Sequence, residues 1–320
     1  MLRQRGPVHV SGPRAAVIGH PISHSRSPQL HAAAYRVLGL DIAYGRLERR
    51  PDDAPAVAEM LRTEPDWLGL SVTMPMKQPM LAEMDHVDPL AATLGALNTV
   101  VLRPDGLHGL NTDVEGVRGA VGLALGAPLA ADVSSAESSQ RTTPSASLPL
   151  AGTVPLVLGA GGTAAAAIAG LARLGAQTVC VAVRDPSRTR ELLRVTEALG
   201  VEARVISLTS VTSAPAPRAV VSTLPPRAAD DWAEAVATLA SPGAALLDAA
   251  YDPWPSRLAA AWQDAGGTPV HGLAMLVHQA VGQVAAFTGR GDAASPAVLA
   301  ALYDAAGITP QGSLPGIVAG

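Results

Sequence analysis

One lysine, Lys77, stands among the twenty-three Lys and Arg positions of this 320-residue chain; every other cation is Arg. Arg does not release its proton near neutral pH, its pKa being above about 12, whereas an amine does once burial or a neighbour shifts it. Chance survival of one Lys is the plain alternative. The residue closes the run Gly69-Leu70-Ser71-Val72-Thr73-Met74-Pro75-Met76-Lys77. That is a strand end handing a Lys to a Pro-rich loop, where catalytic groups tend to sit on a rigid scaffold. Thr73 lies in the same run, Asn98 in Gly95-Ala96-Leu97-Asn98-Thr99, and Asp113 in Gly109-Leu110-Asn111-Thr112-Asp113. Singly, Asn98 and Asp113 read best as turn-stabilising side chains. With Lys77 they supply an amine, a carboxylate and an amide, enough to hold vicinal hydroxyls and move a proton.

Nearer the N-terminus, Gly19-His20-Pro21-Ile22-Ser23-His24-Ser25-Arg26-Ser27-Pro28 sets Ser25 and Ser27 two apart before a Pro that opens a helix. Their hydroxyls can converge at the helix start, which suits a carboxylate. The competing reading makes Ser27 only the N-cap of a helix beginning at Pro28. Late in the chain Met275 and Gln279 share one helix face at i, i+4, with a solvated helix position as the plain reading of Gln279.

These groups need a scaffold, and the pattern from Ala15 alternates apolar strands with helical stretches. Strands are expected at 15–19, 42–47, 67–73 and 97–102, helices near 28–38, 54–63 and 78–84. Residues 127–153 are Ala, Ser, Thr and Pro with almost no large apolar side chain, and read as a flexible surface insertion. Immediately after them come the strand Val154-Pro155-Leu156-Val157-Leu158, the turn Gly159-Ala160-Gly161-Gly162-Thr163-Ala164, an Ala-rich helix to Leu174 and a strand at 178–183. Strand, glycine turn, helix and strand within about 30 residues is a dinucleotide-binding arrangement, with Ala164 in the place of the third glycine. Strands at 219–223 and 245–248 continue a doubly wound parallel sheet, and helices at about 273–287 and 294–305 close the pattern. Residues 1–13 read as a frayed arm and the tail after Gly307 as loose.

Composition excludes other classes. The chain is 48% hydrophobic and 16% charged, globular and long enough for two cores. A net charge of −4 gives no footprint for nucleic acid. The single Cys180, in an apolar strand, excludes an internal disulfide and reads as a packed thiol. No apolar run has the length of a membrane span and no signal-peptide pattern is present, so a cytoplasmic protein is expected. The eight His show no ligand spacing, and no metal site is expected.

Seven ordered motifs together resemble the shikimate dehydrogenase family: Ser25-Arg26-Ser27-Pro28, Val72-Thr73-Met74-Pro75-Met76-Lys77, Asn98-Thr99, Asn111-Thr112-Asp113, Gly159-Ala160-Gly161-Gly162-Thr163, Asp248-Ala249-Ala250-Tyr251 and Met275-Leu276-Val277-His278-Gln279. The resemblance runs from about Ala15 to Gly289. It implies an α/β chain with a discontinuous catalytic domain, 1–113 plus 273–320, around a Rossmann-type nucleotide domain at 114–272. By position, Ser25, Ser27 and Tyr251 would meet a substrate carboxylate. Thr73, Asn98, Asp113 and Gln279 would meet ring hydroxyls, and Lys77 with Asp113 would form the catalytic pair. Gly159, Ala160, Gly161, Gly162, Thr163, Arg184, Arg188, Thr223, Gly272 and Met275 would hold the nucleotide. The implied reaction is reversible, NADPH-dependent reduction of 3-dehydroshikimate to shikimate, on the route to chorismate and the aromatic amino acids. Quinate or aminoshikimate dehydrogenation and a non-catalytic nucleotide-binding regulator are the alternatives.

Two departures from the family pattern bear on this. Ser71 stands where the family often has Asn, a change expected to touch strand packing more than chemistry. After the strand at 178–183 the family commonly reads Asn-Arg-Thr, and this chain reads Val183-Arg184-Asp185. Arg184 and Arg188 suit a 2′-phosphate, while Asp185 would repel one; NADP is expected over NAD. Both paired serines are present, which favours shikimate over quinate. A small-molecule substrate and a monomer or homodimer complete the expectation.

Overall fold

The computed structural model describes residues 12–127 and 148–310. Most of the expected arm, insertion and loose tail therefore lies outside the described residues. Two six-stranded sheets organise the rest. The first comprises β1 (Arg14–Gly19), β2 (Ala43–Glu48), β3 (Trp67–Val72), β4 (His86–Val87), β5 (Thr99–Arg103) and β6 (Gly106–Leu110), in the order β2-β1-β3-β5-β6-β4. It is mixed: β1 runs parallel to β2 and β3, while β5 is antiparallel to both β3 and β6. The second comprises β7 (Leu156–Leu158), β8 (Thr178–Val183), β9 (Glu202–Ser207), β10 (Ala219–Ser222), β11 (Ala245–Asp248) and β12 (Thr268–His271). All its pairings are parallel, in the order β12-β11-β10-β7-β8-β9.

Ten α-helices cover the sheets among the described residues: α1 (Ser27–Val37), α2 (Ala54–Thr63), α3 (Pro89–Leu94), α4 (Asp113–Ala124), α5 (Gly162–Arg173), α6 (Arg190–Ala198), α7 (Ala233–Ala237), α8 (Arg257–Asp264), α9 (Gly272–Thr288) and α10 (Pro296–Ala306). The expected strands are found to within two residues at most ends, because short apolar runs bounded by Gly and Pro carry a strong signal. The strand β6 has no counterpart in the sequence reading. It holds two glycines in five residues and is a strand because it closes a tight hairpin with β5, Arg103 opposite Gly106. The helix expected at 78–84 is a single 3₁₀ turn, Pro79–Glu83.

The helix α9 is apolar around most of its circumference, because it is covered on several sides by α4, α1 and α10. At the crossing with α4, Gly119 leaves no room for even a methyl group: a Cβ there would fall 2.4 Å from the His278 ring. Close backbone approach is what the glycine permits. The apolar core fills both faces of the parallel sheet, with α5 and α9 on one and α7 and α8 on the other. A separate cluster lies between α2 and the first sheet.

The end of the expected insertion is not a loose segment. Leu150 is fully buried, and its amide donates to the Leu174 carbonyl at 2.9 Å. Composition over 127–153 masked one leucine, Leu150, that docks where α5 ends. Cys180 is packed as expected, and burial pushes its thiol pKa up. No helix among the described residues is long and apolar enough to cross a membrane.

Three histidines are buried away from water. Burial pulls the His31 pKa down to about 3, against the hydrogen bond that its Nε2 donates to Gln283 Oε1, which works in the opposite sense. It pulls His271 down to about 4, aided by Arg26, and His278 to about 4, aided by Arg118. A folded-state pKa below the unfolded one means that the unfolded chain takes the proton first. Stability is therefore whole above about pH 6.5 and falls as the pH drops toward 4. Urea unfolding at pH 7.5, 6 and 5 should show a progressive loss, up to about 2 kcal/mol per histidine by pH 5. A flat profile over that window would mean that these rings accept protons in place without cost.

Candidate active site

The turn after β3 is built to aim a side chain. The Thr73 amide donates to the Ile18 carbonyl (2.9 Å) and the Met76 amide to the Thr73 carbonyl (2.9 Å), while Met76 itself is fully buried as an anchor. Lys77 then reaches back, and its Nζ donates to Asp113 Oδ2. Asp113 is the first residue of α4, where the helix dipole favours a carboxylate. Its other oxygen accepts from Asn98 Nδ2 at 2.8 Å, and its amide donates to Asn111 Oδ1 at 3.0 Å. Asn111 is fixed in turn by donating to the Ala96 carbonyl. The carboxylate side chain is 3% exposed and the lysine 14%, so the amine is the member of the pair that meets solvent.

Both open on a cavity of about 170 Å³. Of the residues expected to meet substrate, Ser25, Ser27, Thr73, Lys77, Asp113, Tyr251 and Gln279 line it. Asn98 does not. Its amide nitrogen donates to Asp113 and Thr112 Oγ1, and its oxygen accepts from the Thr112 amide and Thr99 Oγ1. Through those bonds Asn98 holds the Asp113 carboxylate in place.

The two serines correct the capping alternative. Ser27 is the first helical residue of α1, and the residue before it, Arg26, makes no side-chain cap. The Ser25 hydroxyl instead accepts from the Ser27 amide (3.3 Å) and donates to the Ser27 hydroxyl (3.3 Å). Arg46 grips the Ser25 carbonyl with Nε at 3.1 Å and Nη2 at 2.6 Å. Across the cavity, burial pushes the Tyr251 pKa up while the nearby Arg26 opposes it, so the phenol is a neutral donor.

Ser71, His24 and Gln283 also line the cavity; the motif reading gave no role to His24 or Gln283 and assigned Ser71 mainly to strand packing. The effect of Ser71 is not confined to strand packing. It accepts from the Tyr44 hydroxyl (2.6 Å) and donates to Gln283 Oε1 (2.8 Å), while Gln283 Nε2 donates to the Asn98 carbonyl (3.2 Å). His31 stacks on Tyr44 with ring centroids 3.9 Å apart. Gln283 lies one turn beyond Gln279 on α9, an i, i+4 repeat that was available as a signal.

The glycine turn lies where the parallel sheet reverses its strand order, between β7 and β10, the crevice that ligands occupy in such sheets. Gly159 ends β7 at φ +107°, a conformation that favours glycine, and Thr223 beyond β10 donates its hydroxyl to the Leu158 carbonyl at 2.8 Å. Gly161 precedes α5 with nothing within 4 Å of where its Cβ would be. Ala160, Gly161 and Gly162 thus bring a bare backbone to the N-terminus of a twelve-residue helix, a cradle that fits a pyrophosphate. Thr163, Gly272 and Met275 line the same cavity as Lys77, so the turn and the ion pair share one space. Arg184 and Arg188 stand exposed just past β8. Between them the Asp185 carboxylate accepts from the Ser187 amide (3.0 Å) and hydroxyl (2.6 Å), which hold its pKa down.

His86, Asp105 and His108, none of which lines this cavity, bring their ligand atoms within 4.8 Å of one another.

The family model described as the shikimate dehydrogenase substrate binding domain matches residues 17–100. A shikimate dehydrogenase (NADP(+)) of Methylobacterium radiotolerans is 35% identical over 282 residues, covering 85% of this chain and 90% of that relative. The solved shikimate dehydrogenase of Mycobacterium tuberculosis is 39% identical, with a TM-score of 0.74, over 90% of this chain and 99% of that one. A shikimate 5-dehydrogenase of Thermus thermophilus, solved with NADP(H) and shikimate, is 29% identical with a TM-score of 0.68, over 90% and 99%.

Asn98→Ala should destabilise the fold by about 1–3 kcal/mol, because it orphans the partly buried Thr112 amide and one oxygen of the buried Asp113. Urea unfolding without any ligand reads this directly. A change within a few tenths of a kcal/mol would show that Asn98 is not a structural clamp.

Proposed function

Because the chain belongs to the shikimate dehydrogenase family, we propose that it catalyses the reversible, NADPH-dependent reduction of 3-dehydroshikimate to shikimate. The observation that carries this reading is the Lys77–Asp113 pair facing the cavity that Thr163 of the glycine turn also lines. In the same reading, residues 1–113 and 273–320 form the substrate unit and 114–272 the nucleotide unit. The packing of α9 and α10 on α1 supports that division.

Ser25, Ser27 and Tyr251 hold the substrate carboxylate with neutral hydroxyl donors, and Thr73, Asn98, Asp113 and Gln279 hold ring hydroxyls. Gly159 through Thr163 bind the pyrophosphate, with Thr223, Gly272 and Met275 beside it, and Arg184 and Arg188 take the 2′-phosphate. The nicotinamide, when bound, exchanges a hydride with the substrate carbon. Lys77 answers at the oxygen: its ammonium stabilises the charge that develops there and supplies the proton that makes it a hydroxyl. Asp113 keeps the amine aimed, and Asn98 keeps Asp113 in place. Both serines line the cavity, which supports shikimate over a substrate with an extra hydroxyl at that end. NADP is favoured over NAD because Asp185 is engaged with Ser187, leaving the two arginines beside it as the groups that meet the nucleotide.

An assay with 3-dehydroshikimate and NADPH tests the reading, and no turnover of that pair would end it. Lys77→Arg, which keeps the charge but cannot release the proton, should lose about 10²–10⁴-fold in kcat. Near-parental turnover of folded Lys77→Arg would mean that the proton comes from elsewhere. Arg184→Ala should weaken NADPH about tenfold or more and leave NADH nearly unchanged, since charge-assisted phosphate contacts are each worth about 1.5–3 kcal/mol. Equal losses for both cofactors would remove Arg184 from 2′-phosphate recognition.

A further inference from the structure

The two-residue strand β4 lies at the edge of the first sheet and pairs with β6 in a register that sets His86 directly opposite His108. Their rings stack with centroids 4.5 Å apart. The hairpin turn before β6 carries Asp105, whose carboxylate meets both imidazoles. His108 Nε2 lies 2.8 Å from Oδ1 and His86 Nε2 lies 3.5 Å from Oδ2. Two cross-strand imidazole nitrogens and one carboxylate therefore converge on a single point, although 22 and 19 residues separate the histidines and the more distant His–Asp pair in sequence.

We propose that His86, Asp105 and His108 form a binding site for a borderline divalent cation of the Zn²⁺ class, separate from the active site. Donor chemistry selects the class: imidazole with carboxylate suits Zn²⁺, Co²⁺ or Ni²⁺, whereas Mg²⁺ and Ca²⁺ take oxygen ligands. Spacing agrees. Ligand atoms at about 2.0–2.2 Å from one tetrahedral ion stand roughly 3.3–3.6 Å apart, so the 3.5 Å contact already fits and the 2.8 Å contact needs to open by roughly half an ångström or slightly more. The neighbouring carboxylate of Asp85 is not a fourth ligand, because it accepts from the Leu107 amide (2.8 Å) and pairs with Arg62. With three protein ligands, and with His86 and Asp105 more than half exposed, water completes the coordination. The ion ties the short edge strand and the β5–β6 turn to one point, and so stabilises this edge of the sheet by mass action.

The test is calorimetric titration of tag-free enzyme with ZnCl₂, with Co²⁺ visible absorption as the check on imidazole coordination. The expected result is one saturable site per chain and a melting temperature that rises with Zn²⁺. Asp105→Asn, His86→Ala and His108→Ala should each weaken binding at least tenfold while retaining parental kcat, and the exposed His24→Ala should leave binding unchanged. Absence of a saturable site in the parent protein overturns the proposal, as does equal affinity in the folded Asp105→Asn and His86→Ala variants. Either result leaves Asp105 as the acceptor of two surface histidines and nothing more.

Discussion

A buried ion pair constrains this molecule more than any other contact. An ammonium and a carboxylate withdrawn from water are costly unless each finds its partner and its remaining hydrogen bonds. The Lys77–Asp113 pair meets that condition with groups from four separate segments: the turn after β3, the start of α4, the Asn98 approach to β5 and the Asn111 link back to Ala96. Removing any of these groups leaves another unsatisfied. The first sheet therefore has to deliver β3, β5 and β6 side by side, since those strands carry Lys77, Asn98 and Asp113 at their ends.

The second constraint is close approach between helices. Asp113 begins α4, Gln279 rides on α9, and the glycine turn begins α5; the three share one cavity only because α4 packs against both of the others. Small residues make this possible. A side chain at Gly119 would strike His278, and one at Gly170 would strike the Val114 carbonyl 2.9 Å away. The ring of His278 is buried in this seam, accepting from or donating to the Tyr303 hydroxyl at 2.8 Å. Burial there depresses its pKa, so the packing that assembles the cavity also makes the fold sensitive to acid.

A further layer holds the cavity wall from behind. Gln283 ties α9 to β3 through Ser71 and to the Asn98 carbonyl. Tyr44 and His31 close the same network from β2 and α1. A short Ser71 hydroxyl suffices here because Tyr44 and Gln283 both reach it, whereas neither could be foreseen from the strand in which it lies.

Local chemistry was legible in the sequence. Glycines at a strand end, a Pro-rich turn before the lone Lys, and polar residues closing apolar runs each act within a few residues, so they single out the glycine turn and six cavity residues, Ser25, Ser27, Thr73, Lys77, Asp113 and Gln279, while Tyr251 entered only through the family resemblance. Strand positions were legible for the same reason. What the chain order could not reveal was pairing across distance. The clasp of Asn98 on Asp113 and Thr112 forms only when their segments fold together, and Leu150 reads as part of a polar insertion until it docks at the end of α5. Ser27 reads as a cap until Ser25 takes the amide. His86 and His108 become neighbours only through strand register, a property of the sheet and not of either segment.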